Sequence, residues 1–442
     1  MSETTDIVVI GAGIAGLITA RELTRHGHKV IVLEARDRIG GRTWTDHRLG
    51  RNLEIGGTWL HWVQPHSWAE VTRYGLAVTR GPRSEETYWL AGNEVRRGNL
   101  EDFMTLINPG MTRLLEDTMK WIPRPDTPLS VPGIAEVDQF NLQEMLDELD
   151  LSEDEKNANE AAWVGHFNAP LAHCAYTNAM RWTAATAGSW HLMHEASAIY
   201  RLTEGTQALV GAIAEDSGAD IRTQAPVSSI RHAPDGATVT YGAGEEIHAS
   251  RVVVTVPQNL LHKLDITPAL PAGKIAPSIE KAASRGVKAW IRVRGPIKPF
   301  FAYSSQYHPL SVVRTEYLGT DDAVLVAFGA DADRIDVNNL EQVAAALKVW
   351  RDDLDVLEVT GHDWMADPLS EETWLIQQPG QLTKYLHAQQ ASEGVLHFAS
   401  GDYANIWAGF IDGAIESGTN TARNIHSGLQ TQVPAPVLQE QP

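Results

Sequence analysis

The sequence predicts an α/β fold, with a Rossmann-like nucleotide-binding domain on a mixed sheet and a second, α+β domain. Three observations predict it. An apolar run, Asp6 to Ile10, leads into a G-x-G-x-x-G turn at Gly11, Gly13 and Gly16. A second apolar run, Lys29 to Leu33, ends in the acid Glu34. Strand-like alternation fades between Arg80 and Trp190 and returns after Arg201, so the chain leaves the first domain and comes back to it.

The first strand reads as parallel and buried, because a strand covered on both faces is apolar throughout. Gly11 permits the tight turn, Gly13 lets the backbone approach a pyrophosphate, and Gly16 lets the next helix lie close to the strand. That helix opens at Ile14 and Ala15, and its amino end directs free N–H groups and a positive dipole at phosphates. Gly16, Ala20, Leu23 and Gly27 share one of its faces. Glu34 follows the glycines by about twenty residues, where an acid accepts from ribose hydroxyls. It suits a plain adenosine ribose, in NAD or FAD, over a 2′-phosphate. Ala35, Arg36, Arg38, Gly40, Gly41, Arg42 and Thr43 come next. Two more glycines and three cations fit a long, doubly charged ligand that crosses the site twice.

Composition narrows the class. The 442 residues imply two domains or one large one, and 43% hydrophobic content supports a sizeable core. A formal charge of −20 disfavours nucleic acid and anionic membranes as partners, and mildly favours cationic ligands. Cys174 is the one cysteine, so no disulfide within the chain and no cysteine metal site is expected, and no metal is assigned. The first residues lack a signal-peptide pattern and no run approaches a membrane span, so a soluble cytoplasmic protein is the expectation. Residues 431–442 are polar and proline-bearing, and are expected to be disordered.

The run Arg36 to Thr43 resembles the segment after the ribose acid in the FAD-dependent amine oxidases, which include monoamine and polyamine oxidases. A second resemblance lies in His362 to Gln381, where Trp364, Asp367-Pro368 and Trp374 form the family's W-x-x-D-P…aromatic pattern. This version is most similar to bacterial 6-hydroxy-L-nicotine oxidases. The resemblance implies a monoamine oxidase-like fold. The FAD-binding domain would take residues 1–79, 200–267 and 392–430, and the substrate domain 80–199 and 268–391.

It also implies roles. Gly56, Gly57, Thr58 and Trp59 would pass the flavin ring, with His61 near the ring or the substrate entrance. L-Amino-acid oxidases carry a carboxylate-gripping arginine shortly after these glycines, and its absence counts against amino acids as substrates. The Val227 backbone would meet the adenine, and Gly401-Asp402 the ribityl chain. Gly409, Phe410 and Ile411 would bring the last helix onto the ring, where its dipole stabilises negative charge. Lys288, in the strand Val287 to Arg294, would hold a water at flavin N5. No cysteine stands where several monoamine oxidases bond the flavin, so non-covalent FAD is expected.

Between the domains' shared segments, Leu100 to Trp121 reads as helix broken by Asn108-Pro-Gly110, and Leu142 to Leu149 as a short amphipathic helix. Ser152 to Glu155 is a capping box opening a longer one. His166 and Asn168 near its end are candidates for the substrate pocket. Thr238–Tyr241 and Glu246–Ala249 read as a hairpin, Arg251–Val256 as a separate strand, and Leu340–Leu354 as a helix.

The reaction implied is hydride transfer from the α-carbon of a neutral amine, held between Trp374 and Phe410, to FAD N5. The imine then hydrolyses, and O2 is reduced to H2O2 with Lys288 assisting. Both cage positions depart from the family's usual tyrosines. No general base is required if the amine is already neutral, so turnover should rise with pH toward the amine's pKa. The leading substrate is a secondary amine on a heteroaromatic scaffold such as 6-hydroxynicotine, with polyamines next and aryl-alkyl monoamines third. A carbon–carbon desaturase or a non-catalytic FAD-bound scaffold stays open, as does the oligomeric state, a homodimer included.

Overall fold

The computed structural model of the chain describes residues 3–92 and 94–430. The expectation for residues 431–442 lies outside them. Two large sheets organise the molecule. The first has eight strands, in the order Asp265–Thr267, Val227–Ala233, Gly236–Tyr241, Glu245–Val254, Glu3–Ile10, Val30–Leu33, Asp220–Arg222, with Leu396–Phe398 also paired to Glu245–Val254. Glu3–Ile10 lies parallel to both its neighbours, and the Gly236–Tyr241 ribbon is antiparallel to both of its own, so the sheet is mixed. One face packs Ile7 and Val9 against the helices Ile14–Arg25, Thr206–Ser217 and Ile411–Gln430. The other packs Val8 and Ile10 over Leu261, Ile266 and Phe398. With both faces covered, Val30–Leu33 is apolar at every position, and so are residues 7–10 and 252–254 of the two central strands.

The second sheet has seven strands, in the order Val356–Gly361, Val287–Arg294, Asp322–Gly329, Val312–Leu318, Phe300–Tyr303, Glu86–Ala91, Glu94–Gly98. All neighbours are antiparallel except Phe300–Tyr303 with Glu86–Ala91. A helical layer with its own core adjoins it, including Leu100–Leu115, Glu153–Phe167, Tyr176–Ala184 and Trp190–Ala198. We propose that the two sheets mark the two domains. The ribbon Val78–Arg80 with Tyr200–Leu202 joins the chain where it first crosses between them to the place where it returns.

Several local expectations are corrected. Leu100–Leu115 is one continuous helix through Pro109 and Gly110. A proline inside a helix costs about 3 kcal/mol. Burying Phe103, Ile107, Met111 and Leu114 on one face returns roughly 1.5–3 kcal/mol each and outweighs that cost. Gly110 is needed for the contact with the next long helix, since a Cβ there would stand 2.3 Å from Asn159 Nδ2. The hairpin Glu86–Gly98 belongs to a stretch that reads as helical. The expected hairpin strand Glu246–Ala249 and the strand after it are one ten-residue strand, Glu245–Val254. The helix at Leu340 ends at Leu347. Gly27 and Gly409 fall outside helices, at φ 86° and 84°.

Candidate active site

A cavity of about 490 Å³ runs from the glycine turn of the first sheet to the helical layer of the second domain. At its first end, Gly11 adopts φ 104°, a turn only glycine makes without strain. Gly16 does not reach the cavity. A Cβ on it would lie 2.1 Å from the Gly11 carbonyl oxygen, so it is the packing contact of helix on turn. Gly13 precedes the helix Ile14–Arg25 with no side-chain cap and no acid in the first turn, which leaves that turn's N–H groups open beside the cavity. Gly41 crosses Gly13 so closely that a Cβ would be 3.3 Å from the Gly13 Cα. Glu34 accepts from Ala12 N–H at 2.8 Å with one oxygen and from Arg36 N–H at 2.9 Å with the other. Each oxygen keeps lone-pair capacity for a further donor. Ala35 and Val227 complete this end of the wall.

Two of the three cations beyond Glu34 are held by buried acids, while Arg38 donates to the Gly41 carbonyl and lies over the Trp44 ring. Arg36 pairs with Asp367 at 2.9 Å. Arg42 donates to both oxygens of Asp402 at 2.9 Å and to Glu372 at 2.5 Å. Burial works against the Asp402 carboxylate, yet the Arg42 guanidinium holds it below its ordinary range. Burial and the neighbouring Asp402 push Glu372 well above its own. One guanidinium between two buried carboxyls thus accompanies shifts in opposite directions, Asp402 down and Glu372 up. This triad joins the Arg36–Thr43 run, the W-x-x-D-P segment and the Gly401-Asp402 turn into one frame.

At the middle of the cavity, Lys288 Nζ donates to the Gly56 carbonyl at 2.9 Å and to Thr58 Oγ1 at 2.6 Å. It also lies 5.2 Å from the Trp59 ring centroid. Burial lowers its pKa to about 7, against the opposing pull of Glu54. A Cβ on Gly56 would overlap the Arg42 carbonyl oxygen, at 1.9 Å, so this stretch is pressed flat against its neighbours. Trp374 and Phe410 line the wall beyond, with Gly57, Gly401, Gly409 and Ile411. Trp374 lies 6.1 Å from Phe328, and Phe410 lies 4.8 Å from Trp182. His166 and Asn168 also line the cavity. Asn168 takes φ 51° as it ends its helix, and its Nδ2 donates to the Val287 carbonyl at 3.3 Å.

His61 is a correction, because it does not line the cavity. A turn through Gln64, whose side chain accepts the His61 N–H at 2.9 Å, directs the ring instead against Trp62 and Tyr200, at 3.7 and 5.3 Å. Among the wall residues that escaped sequence reasoning are Thr255, Trp182, His194 and Arg314. Only Arg314 carries a signal, as a charge in an apolar strand like Lys288. Its guanidinium stacks 4.6 Å over Trp59 and bonds Glu316 at 2.7 Å.

The residues fit a bound dinucleotide with a flat ring. Five buried polar atoms on the wall lack any protein partner: Trp59 Nε1, Asn168 Oδ1, Arg314 Nε, Thr373 Oγ1 and Trp374 Nε1. On this wall they share a cavity with a glycine cradle and an open helix end, where a ligand's polar groups can satisfy them. These features fit a flavin-binding oxidoreductase.

Comparison gives the family. The sequence matches the flavin containing amine oxidoreductases over residues 14–426. It is 35% identical to a pseudooxynicotine dehydrogenase of Pseudomonas sp, over 96% of this chain and 87% of that protein. It is 27% identical to the (S)-6-hydroxynicotine oxidase of Paenarthrobacter nicotinovorans, over 93% of this chain and 97% of that one. A solved putrescine oxidase bound to putrescine shares the fold at TM-score 0.84 and 23% identity, covering 97% of this chain and 100% of its own. The chain belongs to the flavin-containing amine oxidoreductase family, and its cofactor is FAD. No helix among the described residues is long and apolar enough to cross a membrane.

Proposed function

We propose that the protein oxidises a secondary amine carried on a heteroaromatic scaffold, with 6-hydroxynicotine as the leading example. One observation carries the choice of scaffold. Among the described residues, only two acids line the cavity, Glu34 and Asp402, and both stand on loops of the first sheet. The substrate half is walled by Phe103, Trp182, Phe301, Tyr303 and Phe328 beside Trp374 and Phe410, with Arg314 as its one guanidinium. A diamine would place its second ammonium there without a carboxylate partner, which is costly in an apolar space. A single neutral amine beside a flat ring is matched by aromatic walls. The nicotine-related relatives point the same way.

The glycine turn and the helix Ile14–Arg25 would bind the pyrophosphate, and Glu34 the adenosine ribose. The Gly56–Trp59 strip, with Gly409 to Ile411, would hold the ring. When bound, FAD supplies the two-electron acceptor for hydride loss from the amine's α-carbon. Trp374 and Phe410 would orient that carbon and exclude water from it. Lys288 Nζ, titrating near neutrality, can hold or release a proton beside the Gly56 carbonyl. We propose O2 as the electron acceptor, with H2O2 formed. FAD would be non-covalent with respect to cysteine, since Cys174 is buried away from the cavity.

The test is anaerobic mixing of the purified yellow protein with 6-hydroxynicotine, pseudooxynicotine, benzylamine, putrescine and spermidine. The expected result is rapid bleaching of the flavin by a nicotine-type amine, at least a hundredfold faster than by either polyamine. Faster bleaching by putrescine or spermidine would overturn the substrate assignment.

A further inference from the structure

The substrate end of the cavity contains a hydrogen-bonded array that the proposed chemistry leaves unused. His166 stands near the end of the helix Glu153–Phe167, and His194 and Ser197 stand on the helix Trp190–Ala198. All three line the cavity. His194 Nδ1 lies 3.2 Å from His166 Nε2, and His166 Nδ1 lies 3.3 Å from Ser197 Oγ. Ser197 Oγ is also 3.1 Å from the His194 carbonyl oxygen. Removal from water pushes the imidazoles to about 3 for His166 and about 4 for His194, so both are neutral in the physiological range. His194 meets further charge from Arg314, His191 and Glu195.

Neutral rings give the array a direction. The Ser197 hydroxyl has one proton, and the His194 carbonyl can only accept it. The serine oxygen must then accept from His166 Nδ1–H. His166 Nε2 is left as an acceptor, so His194 donates from Nδ1. This arrangement makes all three contacts into hydrogen bonds. The opposite one, with serine donating to His166, leaves two acceptors facing each other at 3.1 Å. His194 Nε2 therefore carries a lone pair, and it has no hydrogen-bond partner among the described residues. Arg314 does not supply one: its terminal nitrogens donate to the Ala198 carbonyl and Glu316, and its Nε makes no hydrogen bond to His194. Ring contacts link the array to one member of the aromatic pair through Trp182. Phe410 touches Trp182 at 4.8 Å, and Trp182 meets His166 at 6.3 Å, so one tryptophan separates the histidines from the cage.

We propose that His194 Nε2 accepts a hydrogen bond from the end of the substrate remote from the oxidised amine, so that the preferred substrate is a heteroaromatic amine whose ring carries an N–H or O–H donor. A 6-hydroxypyridine ring offers one in either tautomer, and a plain pyridine ring offers none. Ser197 and His166 are positioning residues that fix the tautomer. The inference rests on the amine oxidase reading of the same cavity and narrows its substrate class.

The test compares 6-hydroxynicotine with nicotine by kcat/KM and by anaerobic flavin reduction, in the wild type and in His194→Phe, His194→Gln and Ser197→Ala. FAD content and the visible spectrum of each variant check folding. The wild type should prefer the hydroxylated ring at least tenfold, because a site built for a donor rejects the analogue that lacks it. His194→Phe should reduce that preference at least tenfold, mainly through KM. His194→Gln, which keeps an acceptor, should recover part of it, and Ser197→Ala should lower it by a smaller factor. Equal treatment of the two amines by the wild type, or an unchanged ratio in a folded His194→Phe, would overturn the proposal. If His194→Phe does not fold, the ratios in His194→Gln and Ser197→Ala decide, and values identical to wild type in both overturn it. If neither amine reduces the flavin while dithionite does, the amine oxidase reading fails separately. The subsite is then judged by binding of 2-pyridone against pyridine to the oxidised holoenzyme, read from the flavin absorbance. At least tenfold tighter pyridone binding, lost in His194→Phe, supports the subsite, and equal binding overturns it.

Discussion

Lys288 carries a cost in folding and, in the reaction we propose, a function. Its ammonium sits in a dry strand between aromatic rings, held by one carbonyl and one hydroxyl. The folded pKa falls to about 7 from 10.5. Between those values the unfolded chain binds the proton and the folded chain does not, so folding stability rises with pH across that window. The slope from one such group is at most about 1.4 kcal/mol per pH unit. Lys288→Met should remove this component, which urea unfolding of wild type and variant at pH 7, 8 and 9 would reveal. The same variant should slow oxygen consumption more than it lowers the FAD content of the purified protein.

Arg42 makes the opposite case, a cation whose partners are the buried members. Arg42→Met would leave Asp402 and Glu372 facing each other without a counter-charge. Breaking a buried pair in this way costs about 3–5 kcal/mol. Chemical denaturation should show a loss of that order, together with weaker FAD retention on gel filtration. Its motif was legible in the sequence, but the partnership was not. Glu372 and Asp402 lie 330 and 360 positions further along the chain. No periodicity relates residues that far apart.

At the scale of elements, two helices are set on the first sheet by small residues. Gly418 in Ile411–Gln430 faces the first helix so closely that a Cβ would lie 2.5 Å from the Ala15 carbonyl oxygen and 3.1 Å from Ile18 Cβ. Gly418→Val should therefore cost about 1–3 kcal/mol by overpacking. Because Ile14, Ala15 and Ile411 line the cavity, it should also weaken FAD binding without touching any polar group there. Titration of the apoprotein with FAD measures this. The strand–turn–helix–strand unit at the start of the chain was legible because its pattern is local, with apolar runs, glycine spacing and a terminal acid. Leu100–Leu115 was misread as broken because Pro109 and Gly110 are local breakers, whereas the face that overrules them is defined by the helix it meets. Glu86–Gly98 was missed for a related reason, since its inner strand pairs with Phe300–Tyr303 from a distant segment.

At the scale of the whole molecule, the cavity joins both sheets' structures, and its substrate half contains no acid among the described residues. We propose that the amine enters neutral, because a protonated one would meet no carboxylate on that wall. Under anaerobic conditions, the rate of flavin reduction at low substrate should rise with pH from about 6 toward the amine's pKa. A flat profile between pH 6 and 10 would refute this.

The sequence alone determined the nucleotide-binding architecture and a dinucleotide as its ligand. Those rest on short-range requirements: glycines where a turn and a phosphate leave no room for a side chain, and an acid at a strand end. Tertiary structure alone decided that His61 turns away from the cavity while His194, Trp182 and Arg314 enter it. It also decided that Arg42 shares one charge between two acids. Which side chains share a space depends on how separate elements pack, and packing is set by burial across the whole chain, with no trace in the spacing of any one segment.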